Sequence, residues 1–301
     1  MGTFFSCSAK LLLLFFIVSA IPIAIIIHLE TGGRPSTHVI QYHSTGWFRE
    51  CAKWDDQGRR FLVTFFDGGV GQIPVPLDYD DGSAGSVLQE TVLVKEVDFA
   101  LAAYDLSTWK RIFLSKLGGP EDEKSFADDV AVDEEGNAYI TDAKASKIWK
   151  VGPEGELQHT IRSPLFTPKE WYKNLVALNG IVYHPNGYLL VVHTFSGNLY
   201  KVQTAKGNKV EIVNVVGGSL RFGDGLLLVS PDKLVVAGNP TRLVESSDDW
   251  ESARIVGKSK DAIHRVATAA TEKDGRVYVS HLVGMGYPRR KHVLVEAVFS
   301  A

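Results

Sequence analysis

Glu50, Asp128 and Asn179 each stand eight residues ahead of a turn glycine, at Gly58, Gly136 and Gly187. Asp224 holds the same position ahead of the turn Ser230-Pro231-Asp232-Lys233, which has no glycine. Three carboxylates and one amide at a single register of a repeated unit are oxygen donors that can meet if the units converge on an axis. Such a mixed oxygen set suits Ca²⁺, which accepts roughly six to eight oxygen ligands in flexible geometry, with Mg²⁺ and Mn²⁺ as competitors. Zinc is disfavoured, because no cysteine or histidine stands at the repeated register. A lone Asp or Asn before a strand often only caps it. Four in one register favour a shared site. Asp129 lies beside Asp128, but an ungapped alignment matches Asp128 to Asn179 and Asp129 to Gly180, which selects Asp128 as the ligand.

The elements that must position these residues are short strands. Residues 61–66, 137–142, 188–194, 233–238 and 276–282 are alternating or β-branched runs bounded by turn signals, and no long segment shows a helical period. Residues 128–151 superpose on 179–202 without gaps at an offset of 51. Residues 50–75, 224–244 and 264–283 repeat the same order of strand, tight turn, strand, turn, strand. Each copy reads as one propeller blade. The stretch from Glu50 to Asp128 is too long for one blade and short for two. Within it, residues 100–117 read as the outer two strands of a blade whose inner pair is reduced or missing. The expected fold is therefore all-β, a six-bladed β-propeller with an incomplete second blade, preceded by an N-terminal hydrophobic helix. The strand-like ends 38–43 and 293–299 are expected to share one blade and close the ring, which would bury two strand edges.

Composition narrows the setting. The chain has 301 residues and a net charge of −3, with no basic excess of the kind nucleic-acid binding requires. Leu11 to Ile27 is an apolar run in which only Ser19 is polar, and Lys10 precedes it. This reads as a secretory signal peptide or an uncleaved signal anchor within residues 1–30, followed by a linker at 31–37 and a propeller domain at 38–301. The protein is thus expected in the secretory pathway. If uncleaved it is membrane-anchored through its N-terminal segment, with a luminal or extracellular domain. If cleaved it is secreted or vacuolar. Cys7 and Cys51 flank the apolar run, so no internal disulfide is expected. The expected partner is a small-molecule substrate, bound by a monomer.

The motifs at these positions resemble the gluconolactonase/regucalcin/luciferin-regenerating-enzyme family, in the plant branch described as calcium-dependent phosphotriesterase-like. Glu50 with Trp54-Asp55 resembles the family's N-terminal E-G-P-x-W-D motif. Asn179-Gly180 resembles its S-N-G-I motif and Asp224-Gly225 its P-D-G motif. Asp128-Asp129 occupies its N-D-x motif, with Asp in place of Asn, and Cys51-Ala52-Lys53 follows Glu50 in place of the family's Gly-Pro. The resemblance spans residues 38–299. It implies six blades, a divalent cation held by Glu50, Asn179 and Asp224 with Asp128 as a fourth ligand, and hydrolysis of lactones, aryl esters or organophosphates. It also implies Asp224 as base or nucleophile. Two other readings fit the same residues: a non-catalytic propeller that keeps the metal for stability, and an enzyme similar to strictosidine synthase.

Histidines form a second rank. His264, with Arg265, is read as opening the last inner strand near the channel mouth, as a general base or a group that orients a substrate oxygen. His193 and His281 end strands and read as structural. Trp47, Trp149, Trp171 and Tyr172 are expected to pack between blades. Residues 166–172 form a longer loop that could contribute to a lid.

Overall fold

The computed structural model describes residues 18, 20–29, 37–66, 68–79, 87–94, 100–118, 123–259 and 262–300. Cys7, the first part of the apolar run and nearly all of the linker at 31–37 lie outside the described residues. By contacts the chain divides into Met1–Ser36 and Thr37–Ala301. In the first unit residues 20–29 are helical, and their apolar side chains are mostly exposed. Among the described residues no helix is long and apolar enough to cross a membrane.

The second unit is a six-bladed β-propeller. Blade 1 is Arg49–Asp55, Arg60–Phe65, Val70–Pro74 and Thr91–Val94, in that order from the centre outward. Blade 2 has two described strands, Ala100–Tyr104 and Arg111–Lys116. Blade 3 is Ala127–Val132, Ala138–Asp142, Lys147–Val151 and Leu157–Arg162. Blade 4 is Leu178–His184, Tyr188–His193, Leu199–Gln203 and Lys209–Val216. Blade 5 is Gly223–Ser230, Lys233–Gly238, Thr241–Glu245 and Ser252–Ser259. Blade 6 takes Ala267–Lys273, Arg276–His281 and Arg290–Glu296 from the C-terminal end, and its outer strand, Val39–Ser44, from the start of the domain. That closing pair is antiparallel, from Val39 opposite Val295 to Ser44 opposite Arg290. The free edge of Val39–Ser44 is in turn covered by Val87–Gln89, which pairs with it in parallel.

Packing explains why some strands do not alternate. Tyr188–His193 is buried along its whole length. Its Tyr188, Leu190 and Val192 pack with Leu234, Val236 and Trp250 of blade 5. Its Leu189 and Val191 pack with Tyr139 and Ile148 of blade 3. A strand wedged between two neighbouring blades is apolar on both faces, so its sequence reads as a continuous run.

Strands within a blade alternate in direction. The loops that enter each inner strand and those that join second to third strands therefore share one end of the propeller, the mouth face below.

Candidate functional site

Each four-stranded blade carries a one-residue irregularity near the start of its inner strand. Pairing is interrupted between Arg49 and Ala52 in blade 1, between Leu178 and Ile181 in blade 4, and between Gly223 and Leu226 in blade 5. Blade 3 skips from Ala127 to Val130, and blade 6 from Ala267 to Ala269. A β-bulge leaves one residue out of the ladder and re-aims its side chain. The residues inside these bulges include Glu50, Asp128, Asn179, Asp224 and, in blade 6, Thr268. All five line a cavity of about 340 Å³ and a second of about 260 Å³, which therefore meet at this ring. The first opens toward the mouth between Phe66, Phe126, Leu175, Val266 and Leu282. The second continues along Lys53, Thr64, Asp129 and Ala269.

Two glycines let the inner strands approach so closely. A Cβ on Gly180 would lie 2.2 Å from the Asp224 carbonyl oxygen, and one on Gly225 would lie 2.7 Å from that of Thr268. Backbone touches backbone around the axis, so the residue after Asn179 and the residue after Asp224 must lack a side chain.

The ring is short of positive charge. Burial first, and Asp129 second, push the Glu50 carboxyl up to about 7. Asp128 is held well above the usual carboxylate range by burial, then by repulsion from Glu50, Asp129 and Asp142. Asp224 is raised likewise, by burial and then by Glu50, Asp128 and Asp129, while a hydrogen bond from the Asn179 amide pulls it back. Asp129 is engaged differently. Its Oδ2 accepts from the Ile181 N–H at 3.1 Å and its Oδ1 from the Val130 N–H at 2.9 Å. Lys53 lowers the Asp129 carboxyl electrostatically, opposing the rise from burial, and its Nζ lies 3.4 Å from the Ala270 carbonyl oxygen. Burial drives the Cys51 thiol up to about 12, which keeps it protonated and unfit as a nucleophile.

This donor set is chemically suited to a hard divalent cation: oxygen ligands, excess negative charge and no soft donor. No group of three or more His, Cys, Asp and Glu among the described residues is placed to hold a metal ion by itself. An ion here would therefore draw on the Asn179 amide oxygen and on water as well.

The structure thus brings together the four residues of the repeated register and adds Thr268, which the spacing rule misses because it lies seven residues before Gly275. His264 is not among the lining residues of either cavity. It lies in a 3-10 turn, Ile263–Arg265, ahead of the inner strand it was expected to open. His193 and His281 are buried at strand ends. Of the aromatic residues expected between blades, Trp149 is buried there, whereas Trp47, Trp171 and Tyr172 are exposed in loops. Residues 166–172 cross the mouth face as two short 3-10 turns, Pro164–Phe166 and Trp171–Asn174.

No protein-family model matches the sequence, and no curated protein matches it. Solved structures share the fold. A gluconolactonase from Xanthomonas campestris is 13% identical with a TM-score of 0.53, covering 87% of this chain and 91% of its own. A putative gluconolactonase is 14% identical with a TM-score of 0.50, covering 88% and 94%. Virginiamycin B lyase from Staphylococcus aureus is 10% identical with a TM-score of 0.50, covering 86% and 99%. A lactonase and a lyase resemble the chain to a similar degree, so what the likeness carries is the propeller fold, and chemistry must be argued from the site.

Proposed function

We propose that this propeller is a divalent-cation-dependent hydrolase of lactones, aryl esters or organophosphates, with Ca²⁺ the preferred ion and Mg²⁺ or Mn²⁺ as substitutes. The observation that carries this reading is the set of inner-strand bulges that turns Glu50, Asp128, Asn179 and Asp224 into one cavity. Those four side chains would hold the ion. The chemistry such an ion supplies is polarisation of the carbonyl or phosphoryl oxygen and relief of the charge that grows there.

The chain's own residues do the rest. Asp224, held ionised beside a bound cation, would accept the proton of the attacking water. The Asn179 amide fixes the Asp224 carboxylate by donating to it. Apolar walls from Phe66, Phe126, Leu175 and Leu282 exclude bulk water and strengthen the electrostatics within. The motif resemblance, including its plant branch, supports this reading, and the gluconolactonases among the structural neighbours are consistent with it. The apolar run at 11–27 supports a place in the secretory pathway, anchored or cleaved.

The test is hydrolysis of phenyl acetate and of a γ-lactone by the purified protein. Turnover is expected to vanish with chelator and return with Ca²⁺. Turnover that survives chelation removes the cation from the reaction. Tight Ca²⁺ binding without turnover of any ester, lactone or phosphotriester would instead leave a metal-stabilised binding protein.

A further inference from the structure

The second cavity, of about 260 Å³, is walled by Cys51, Lys53 and Thr64 of blade 1 and by Asp129 and Val130 of blade 3. Those two blades flank blade 2, which has no inner strand among the described residues. The cavity therefore lies on the side of the acid ring that this strand would otherwise fill, and Glu50, Asp128, Asn179 and Asp224 all border it. A cavity of about 150 Å³ is enough to hold benzene, so this one has room for an aryl or short alkyl group.

Lys53 is the one residue among the described lining that carries positive charge. It stands three residues beyond Glu50 on the same inner strand, and it is exposed rather than packed. An ammonium has three N–H donors. The Ala270 carbonyl oxygen lies 3.4 Å from Nζ, and Lys53 forms no ion pair among the described residues. Its charge is nevertheless felt at Asp129 and Cys51, whose rise through burial it opposes. The other proton carriers here, once the carboxylates are ionised, are poor donors. Burial pushes the Cys51 thiol up to about 12, and the Thr64 and Thr268 hydroxyls are weaker acids still.

We propose that the second cavity receives the leaving group of the ester and that Lys53 protonates it there. The inference rests on the hydrolase reading. Water adds to the carbonyl carbon and gives one proton to Asp224. As the adduct collapses, the bond from that carbon to the leaving oxygen breaks, and its electron pair goes to the oxygen. Lys53 passes a proton to that oxygen, so an alcohol departs and a carboxylic acid remains. Asp224 then holds one proton more and Lys53 one fewer, and exchange with bulk water restores both. The help this gives depends on the leaving oxygen. An alkoxide is a strong base and leaves poorly without a proton. A phenoxide is intermediate, and a nitrophenoxide leaves unaided. A lysine that only held the strand in place would serve all three alike.

The test measures kcat/KM of the full chain for a γ-lactone, phenyl acetate and para-nitrophenyl acetate. Saturating Ca²⁺ removes any effect of a variant on ion affinity. Lys53→Met is expected to slow the lactone by about 10²–10⁴-fold, phenyl acetate by less and para-nitrophenyl acetate least. Lys53→Arg keeps the charge but holds its protons more tightly, so it is expected to follow Lys53→Met. An equal loss on the three substrates, no loss at all, or full recovery in Lys53→Arg overturns the inference and leaves the hydrolase reading standing. A natural chain that turns over none of the three removes the hydrolase reading, and this inference with it.

Discussion

Lys53 brings positive charge to an otherwise acidic ring, opposing burial at both Asp129 and Cys51. Any cation bound by Glu50 and its neighbours must share that field. Lys53→Met is therefore expected to tighten Ca²⁺ binding by roughly three- to ten-fold, the scale of one unit charge acting at a partly screened distance. Calorimetric titration reads this directly, and an unchanged affinity would mean that the ammonium is turned away from the ring in solution. Asp224→Asn keeps the size and the possible hydrogen bond with Asn179 but removes the base, so kcat is expected to fall by about 10²–10⁴-fold. Glu50→Gln is expected to weaken Ca²⁺ binding, with titration again the measurement. The meeting of Glu50, Asp128, Asn179 and Asp224 at one cavity was legible in the sequence because a fixed distance to a turn survives translation into a strand register. Thr268 was not legible. Its blade is bulged one residue later relative to its turn, and nothing in the local sequence announces a bulge. The alignment selects Asp128 over Asp129; in the structure both line the second cavity, and Asp129 accepts from two backbone N–H groups.

Blade 2 shows what one element does to its neighbour. Val130 in the inner strand of blade 3 occupies the register of Ile181 in blade 4, at the constant offset of 51. Ile181 is 2% exposed and Val130 is 44% exposed. The side chains are alike, and the difference is what stands beside them. Ile181 meets blade 3, whereas Val130 faces the side where blade 2 has no described inner strand. Ile181→Ala is accordingly expected to cost about 2–5 kcal/mol and Val130→Ala less than about 1 kcal/mol. Denaturant titration compares them, and equal losses would mean that Val130 is covered in solution. That blade 2 is incomplete among the described residues was legible from a 78-residue interval that holds blade 1 and one further hairpin. The cover strand Val87–Gln89 was not, because three residues are too few for a periodic signal. It delivers Glu90, whose carboxylate takes two bonds from Arg49, at 2.6 Å from Nε and 2.7 Å from Nη2. Both side chains are buried. Glu90→Ala would leave a buried guanidinium without its partner, with an expected loss of about 3–5 kcal/mol.

At the scale of the whole molecule, stability rests on a ring closed by the two ends of the domain, which was legible because both ends read as strands with no other partner. His292 lies in that closing blade. Its ring stacks on Tyr42 of the outer strand at 5.2 Å, and its Nε2 lies 3.1 Å from the Gly46 carbonyl oxygen. A carbonyl only accepts, so Nε2 carries the proton, and Nδ1 is buried with no partner. A second proton would have to sit on Nδ1. Burial is the main reason the group is held down at about 4, with Arg49 and Arg265 lowering it further against Glu90 and the Gly46 bond. His193 is likewise held at about 4 by burial. In the unfolded chain both take a proton near the ordinary value of about 6.5. Their contribution to stability is thus complete above that pH and is lost as pH falls toward 4, at about 3 kcal/mol for each. The ring carboxylates act in the opposite sense. Glu50, raised to about 7, binds its proton more readily folded than unfolded, so it stabilises the fold as pH falls from 7 toward its ordinary value. Without a cation the two trends oppose and the acid limb is shallow. A cation that holds the carboxylates ionised removes the second trend and leaves the first. Unfolding free energies from pH 7.5 to 5 are therefore expected to fall more steeply with Ca²⁺ than with chelator, and less steeply in His292→Gln than in the natural chain under either condition. A slope that ignores Ca²⁺ would separate the carboxylates from cation binding, and a slope that ignores His292 would place the acid sensitivity outside the closing blade.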